Sequence, residues 1–447
     1  MAYGMQVAHS MNISRHVGGA CQRRSFATNN LARPSPVKWG ILSTSSSSSS
    51  IANIGQAISY AKDAQVAAVS SFVPDSREDV AQRIQQAMTG DRHVKTRGPI
   101  LGRKVSDPQP TPLRHYQDYQ EMLSDPSIDA VYIHDGPNDN DKRQSSAESR
   151  DLAYQLALQS LASQKATFFP SSSLLTYRQC WTLTQQAQAN QSFFMEGSLW
   201  TKTFPAYAKA ADLLQSGAIG RPLIVQGSIG TQDVTERDGT SMAATLYAGQ
   251  FMVHWGQVVF GTHSRADAIQ AMHCSVSNSL VAHCQYTMND NDTESGLLQF
   301  SVAPRAENRI TIQGTKGRII IDPPAHLPER VRLETDRVSR SGSQQHQRRL
   351  PPRIDTYLHP LPNYPGVESL GLIYPIASVG QALGQGLLEC PGYTWNDTLQ
   401  VAAMMEVIRS KVVGAEPVPR DSIQTAINGS VPSEIMDDVD AQVAMAQ

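Results

Sequence analysis

Val37-Lys38-Trp39-Gly40-Ile41-Leu42, followed by Ser43-Thr44-Ser45 and a serine run to Ser50, is the stretch on which the fold turns. The first six residues read as a short buried strand. An alternating helix start follows at Ile51-Ala52-Asn53-Ile54-Gly55-Gln56-Ala57-Ile58. In a strand-to-helix turn that cradles a dinucleotide, glycine is used because the backbone bends tightly and approaches the diphosphate without a Cβ. Ser43 and Ser45 stand there instead, and the run lengthens the loop. Ordering such a run costs roughly 1–2 kcal/mol per residue, so weak or absent cofactor binding is the expectation.

Outward from this unit, short apolar runs alternate with helical stretches. Ala64 to Ser70 reads as a second strand and Ser76 to Met88 as its helix. Residues 89–113 read as a long loop, and His115 to Leu123 has a helical period. Ile128 to Ile133 is a buried strand that runs into the Gly136-Pro137-Asn138-Asp139 loop. Glu148 to Ser163 is an amphipathic helix, and Ala166 to Pro170 a further strand end. This alternation predicts a doubly wound parallel sheet. Beyond about Trp200, Pro222 to Ile229, Leu280 to Met288, Gly296 to Val302 and Arg309 to Ile312 read as longer alternating strands. Gly314-Thr315-Lys316-Gly317 joins the last of these to Arg318-Ile319-Ile320-Ile321 as a hairpin. A mainly antiparallel sheet, open on one face, is expected there. Residues 323–365 read as a surface insertion, with helices at Leu372 to Leu387 and Asp397 to Val412.

In the other direction, no Asp or Glu precedes Asp63, while Arg15, Arg23, Arg24 and Arg33 lie among many serines. That composition is expected of a mitochondrial transit peptide, and Arg24-Ser25-Phe26-Ala27 resembles a matrix-processing site. The alternative is a disordered cytosolic tail. The mature chain is expected to begin near Ala27 and to reside in the mitochondrial matrix.

Composition narrows the classes. The chain has 447 residues, a net charge of −2 and 17% charged residues, which gives no reason to expect nucleic acid as a partner. No apolar stretch approaches a membrane span. Five scattered cysteines show no CxxC and no pairing pattern, so free thiols are expected. No metal-ligand spacing occurs. His134-Asp135 and the serine-rich segments invite a hydrolase reading, but no Gly-x-Ser-x-Gly elbow supports it.

Several pieces together carry a family resemblance. They are Trp39 to Leu42, Ile128 to Ile133, Phe194-Met195-Glu196-Gly197-Ser198-Leu199-Trp200-Thr201-Lys202, Gly217 to Pro222, the Gly314 to Arg318 hairpin, and Trp395 to Leu399. In this order they resemble the glucose–fructose oxidoreductase/inositol 2-dehydrogenase superfamily, in its dihydrodiol dehydrogenase and D-xylose dehydrogenase branch. The resemblance implies an α/β protein. It would have an N-terminal Rossmann-like domain over residues 38–196 and a C-terminal α+β domain with an open, mainly antiparallel sheet over 197–421. An acidic tail, 422–447, would follow. It also implies NADP or NAD as cofactor, a sugar or diol as substrate, and a homo-oligomer formed through the open sheet.

The family's working residues are largely replaced. Its Glu-Lys-Pro lysine falls on Ser171, and its Asp-x-Gly-x-Tyr motif on Tyr247-Ala248-Gly249-Gln250-Phe251. Phe251 cannot exchange a proton. The ribose reader falls on Phe72, with Arg77 a turn later. Ser43, Thr44, Ser45, Phe72, Arg77, Pro137 and Ser171 are therefore the candidate cofactor contacts. Oxidising an alcohol needs a base at the hydroxyl and a donor for the developing charge. Glu196, Tyr247 and His254 are the available substitutes, each with a bland alternative: an ion pair orienting the domains, a packing tyrosine and a half-buried helix histidine. Lys202 and Arg221 read as solvated charges. Two readings stay open: a catalytically degenerate member that keeps the scaffold, and a working dehydrogenase with a shifted site.

Overall fold

The computed structural model describes residues 36–44, 48–71, 84, 113–135, 146–170, 175–197, 200–230, 242–261, 265–275, 277–287, 295–338, 349–362 and 370–413. The chain opens with β1 (Val37–Ser43), α1 (Ser48–Tyr60) and β2 (Ala64–Ser71). There follow β3 (Arg114–Tyr116), α2 (Tyr119–Ser124), β4 (Ala130–His134), α3 (Ser146–Ala162), β5 (Ala166–Phe169), α4 (Tyr177–Ala189) and β6 (Phe194–Glu196). These strands form one six-stranded sheet in the order β3-β2-β1-β4-β5-β6, with every pairing parallel.

The expected first strand and helix are present for a clear reason. From Trp39 onward β1 is buried on both faces, as a central parallel strand must be. Trp39 and Ile41 point to the face covered by α1, where Ile51, Ile54, Ala57 and Ile58 pack. Leu42 points to the opposite face, with Ile133 and Leu156. The serine run is less of a loop than its composition suggests. Ser48 to Ser50 form the first turn of α1, which leaves only 44–47 as the connection.

After β6 come α5 (Pro205–Gln215), β7 (Pro222–Gly230), α6 (Met242–Phe260) and β8 (Arg265–Cys274). β9 (Ser279–Thr287), β10 (Ser295–Ala303), β11 (Ile310–Gly314), β12 (Gly317–Ile321), β13 (Arg330–Val338) and β14 (Arg349–Leu358) follow, then α7 (Ile373–Gly384) and α8 (Trp395–Val413). The second sheet has eight strands in the order β14-β13-β12-β11-β7-β10-β9-β8. All its pairings are antiparallel except β7 with β10. Burial alternates strictly along β9 and β10, so one face is covered and the other is open. Leu280, Ala282, Cys284 and Tyr286 meet the helices, while Val281, His283 and Gln285 point away. The hairpin needs its glycines: a Cβ on Gly317 would lie 2.2 Å from the Glu334 carbonyl oxygen.

Three expectations are corrected. Residues 323–365 are not an insertion outside the fold, since they supply β13 and the edge strand β14. The helix expected from His115 begins only at Tyr119, capped by Asp118, because Arg114–Tyr116 pair with β2. Strand β8 and helix α5 were not expected at all. The helix expected over 76–88, the loop over 89–112 and the N-terminal and C-terminal tails lie outside the described residues, Ile84 apart.

The two sheets share one apolar core, which runs from Trp39 through Phe204 and Trp255 to Leu333. Helix α8 returns to the first sheet, where the Trp395 indole donates to the Phe194 carbonyl at 2.9 Å. Among the described residues, no helix is long and apolar enough to cross a membrane. Cys180, Cys284 and Cys390 are buried free thiols and Cys274 is an exposed one.

Candidate active site and cofactor crevice

The sheet order places β1 beside β4, and the connections from these two strands leave in opposite directions. Open parallel sheets bind ligands at this point, outside the carboxyl ends of the strands. Here Ser43 is paired with His134 across the two strands. One residue later, the Thr44 amide donates to the His134 carbonyl at 3.0 Å, and its hydroxyl to the same oxygen at 3.3 Å. Ser43, Thr44, His134 and Asp135 are all buried. His134 is 7% exposed, and its Nε2 has no hydrogen-bond partner. Burial pushes its pKa down to about 4, so the ring is neutral at physiological pH. Of the expected cofactor contacts, Ser43 and Thr44 reach this crevice. Ser45, Phe72, Arg77, Pro137 and Ser171 lie outside the described residues.

A second polar site lies where the two sheets meet. Glu196, at the end of β6, accepts a hydrogen bond of 3.0 Å from the Tyr393 hydroxyl. The His254 ring, on α6, packs edge-on to Tyr393 with centroids 6.3 Å apart. Its Nε2 lies 3.1 Å from the Tyr207 hydroxyl, and the two rings stack at 5.7 Å. Lys202 follows β6 in a short 3-10 turn, and its Nζ sits 4.9 Å above the Tyr393 ring. It pairs with Asp397 at 3.2 Å, and the Asp397 carboxylate also accepts from the Thr394 amide and hydroxyl. Each charge is thereby compensated where water is excluded.

Lys202 is therefore not a solvated charge: its side chain is 7% exposed. Burial lowers its pKa, and Asp397 opposes the shift. His254 is fully buried, and burial first, then the Lys202 charge, holds its imidazole well below the usual value. Burial likewise raises the Tyr207 and Tyr393 hydroxyls well above theirs. Glu196 and His254 thus meet in one cluster, through Tyr393. Tyr247 is buried on the same helix as His254 and packs edge-on to Phe251 at 6.3 Å. Tyr207 and Tyr393 escaped the sequence reading, since each is a lone tyrosine whose partner is distant in the chain.

Space beside Glu196 is small. The cavity lined by Leu175, Cys180, Glu196, Gln250, Tyr393 and Thr398 has a volume of about 10 Å³. That is room for about one water molecule. Chemically, the cluster is a set of internal pairings between Glu196 and Tyr393, His254 and Tyr207, and Lys202 and Asp397, with the His254 Nδ1 left without a hydrogen-bond partner.

No protein-family profile matches the chain. It is 22% identical over 322 residues to a trans-1,2-dihydrobenzene-1,2-diol dehydrogenase from Sus scrofa, covering 66% of this chain and 81% of that one. It is also 22% identical over 414 residues to a D-xylose 1-dehydrogenase (NADP(+)) from Hypocrea jecorina, covering 83% of this chain and 91% of the other. Among solved structures, a levoglucosan dehydrogenase in complex with NADH and levoglucosan superposes with a TM-score of 0.56 at 13% identity. It covers 86% of this chain and 99% of that chain, which establishes the common architecture. With the parallel sheet, the open second sheet and these relatives together, the chain is similar to the dihydrodiol and D-xylose dehydrogenases of the glucose–fructose oxidoreductase/inositol 2-dehydrogenase superfamily.

Proposed function

We propose that this protein binds NAD(P) in the crevice between β1 and β4 and is a degenerate sugar or diol dehydrogenase, with its proton-transfer groups withdrawn from substrate. The crevice fits a dinucleotide. It sits at the switch point of the sheet, α1 begins beside it, and the His134 Nε2 is a buried polar atom with its hydrogen-bonding capacity unused. Ser43 and Thr44 would line the approach to the diphosphate. When bound, the nicotinamide supplies or accepts the hydride in this chemistry.

The observation that carries the degenerate reading is the internal pairing of the polar cluster. Glu196 is engaged by Tyr393, His254 by Tyr207 and Lys202 by Asp397, around a space of about 10 Å³. A general base must touch the hydroxyl that it deprotonates. With Phe251 and Ser171 at the family's catalytic positions, loss of acid–base help lowers turnover about 10²–10⁴-fold. Titration of the full-length protein with NADPH and NADH, followed by a screen of sugars and vicinal diols with NADP or NAD, tests this. Micromolar binding with turnover reduced by that factor is expected. A kcat on the order of 10 s⁻¹ on any of these substrates sinks the degenerate reading and supports a shifted site.

Two further features belong to the same proposal. The open face of the second sheet carries Met272, Ile354 and Leu358, which are 71%, 53% and 63% exposed, and it supports self-association through that face. Sedimentation velocity checks this. The acid-free, Arg- and Ser-containing N-terminal segment supports the mitochondrial matrix as the compartment, which fractionation checks.

A further inference from the structure

We infer that His134 reads the nicotinamide ring of the bound dinucleotide, through a hydrogen bond between its Nε2 and the ring carboxamide. The inference rests on the dinucleotide reading above and adds a residue-level recognition role to it. Side chains alternate along β4: Tyr132 belongs to the core under α1, and Ile133 to the core on the opposite face. His134 therefore points to the α1 face, as does its register partner Ser43, two residues after Ile41. It stands at the last position of β4, at the carboxyl edge, on the side of the crevice away from β2.

Position selects the half of the ligand. In doubly wound sheets, the ribose next to adenine is read from the end of the second strand, so the other nucleotide lies over the fourth and fifth. His134 is on that second side. Its chemistry selects the group. A buried neutral imidazole has no charge to attract a phosphate. It does offer Nε2 as either donor or acceptor, according to tautomer. A carboxamide presents both an N–H donor and a carbonyl acceptor, so it satisfies either tautomer.

Buried polar atoms are nearly always paired, and leaving one unpaired is costly. No side chain or backbone group within the described fold pairs with this Nε2. The Thr44 contacts use the His134 carbonyl, not the ring, so the backbone holds the residue while leaving Nε2 available.

Full-length protein, wild type and with His134→Phe or His134→Gln, is titrated with NADPH, NADH and ADP-ribose, which lacks the nicotinamide. Thermal melts verify that each variant is folded. His134→Phe keeps a ring but removes Nε2, and should weaken the intact cofactor about tenfold while leaving ADP-ribose affinity unchanged. His134→Gln places an amide nitrogen near the Nε2 position and should recover most of the loss. Unchanged NADPH and NADH affinity in His134→Phe overturns the assignment. So does an equal loss of cofactor and ADP-ribose, or a failure of His134→Gln to recover affinity. If the wild type binds none of the three, the dinucleotide reading itself falls, and this inference with it.

Discussion

Two buried histidines, His134 in the crevice and His254 at the junction of the sheets, have similar solvation and differ at Nε2, which meets Tyr207 in His254 and no partner in His134, while the His254 Nδ1 is unpaired as well. Both rings are neutral because burial disfavours the imidazolium. His254 is held through Nε2 by Tyr207 and flanked by Tyr393 and Lys202, so that nitrogen is spent on structure. His134 has an unused Nε2 at the ligand edge of a parallel sheet. A shifted pKa is therefore a poor guide to function here. What each Nε2 meets is where the two rings differ.

The comparison breaks most readily at the junction. Lys202→Met removes one member of a buried ion pair and leaves Asp397 uncompensated. The expected loss is about 3–5 kcal/mol of unfolding free energy in urea, with the crevice unaffected. Restoration of stability in Lys202→Met/Asp397→Leu would tie the loss to the unpaired carboxylate. A loss below about 1 kcal/mol for the single variant would mean that the cluster does not hold the sheets together.

Acid should expose both histidines. Their folded-state pKa values lie below the unfolded value of about 6.5, so the unfolded chain takes up protons that the folded chain refuses. Their contribution is intact above that pH and is lost as pH falls. For His134, with a folded value of about 4, the loss between those limits is about 3 kcal/mol. Unfolding free energy measured across this window should fall less steeply in His134→Phe than in the wild type. Equal slopes would show that the ring is not buried as described.

The smallest effect is the sharpest. Tyr393→Phe removes the donor to Glu196 and keeps the ring over which Lys202 sits, so about 2 kcal/mol should be lost. NADPH affinity should not change. A cofactor affinity that falls with Tyr393→Phe would join the two regions into one site.

Legibility in the sequence followed the range of the interactions. β1 was readable because its contiguous apolar residues are buried on both faces, and β9 and β10 because period-two alternation reflects one covered face. β14 was not, since Pro351-Pro352 and the surrounding arginines resemble a loop, and only an edge strand tolerates prolines in this way. Helix α5 begins at Pro205, which is favourable at a first helical position but reads locally as a breaker. Glu196 and His254 were found by their place in the resemblance. Their partners were not, because Tyr393 lies 197 positions from Glu196 and Tyr207 lies 47 from His254.

Residue pattern alone carried the two-sheet α/β plan. Hydrophobic period and residue identity are local properties, and a chain displays them without folding. Folding alone left Lys202 buried and paired, placed Ser48 to Ser50 in a helix, and set the His254 Nε2 against Tyr207 while the His134 Nε2 meets no partner. Those outcomes depend on which groups meet once water is excluded, and burial makes each pairing or its absence count in energy.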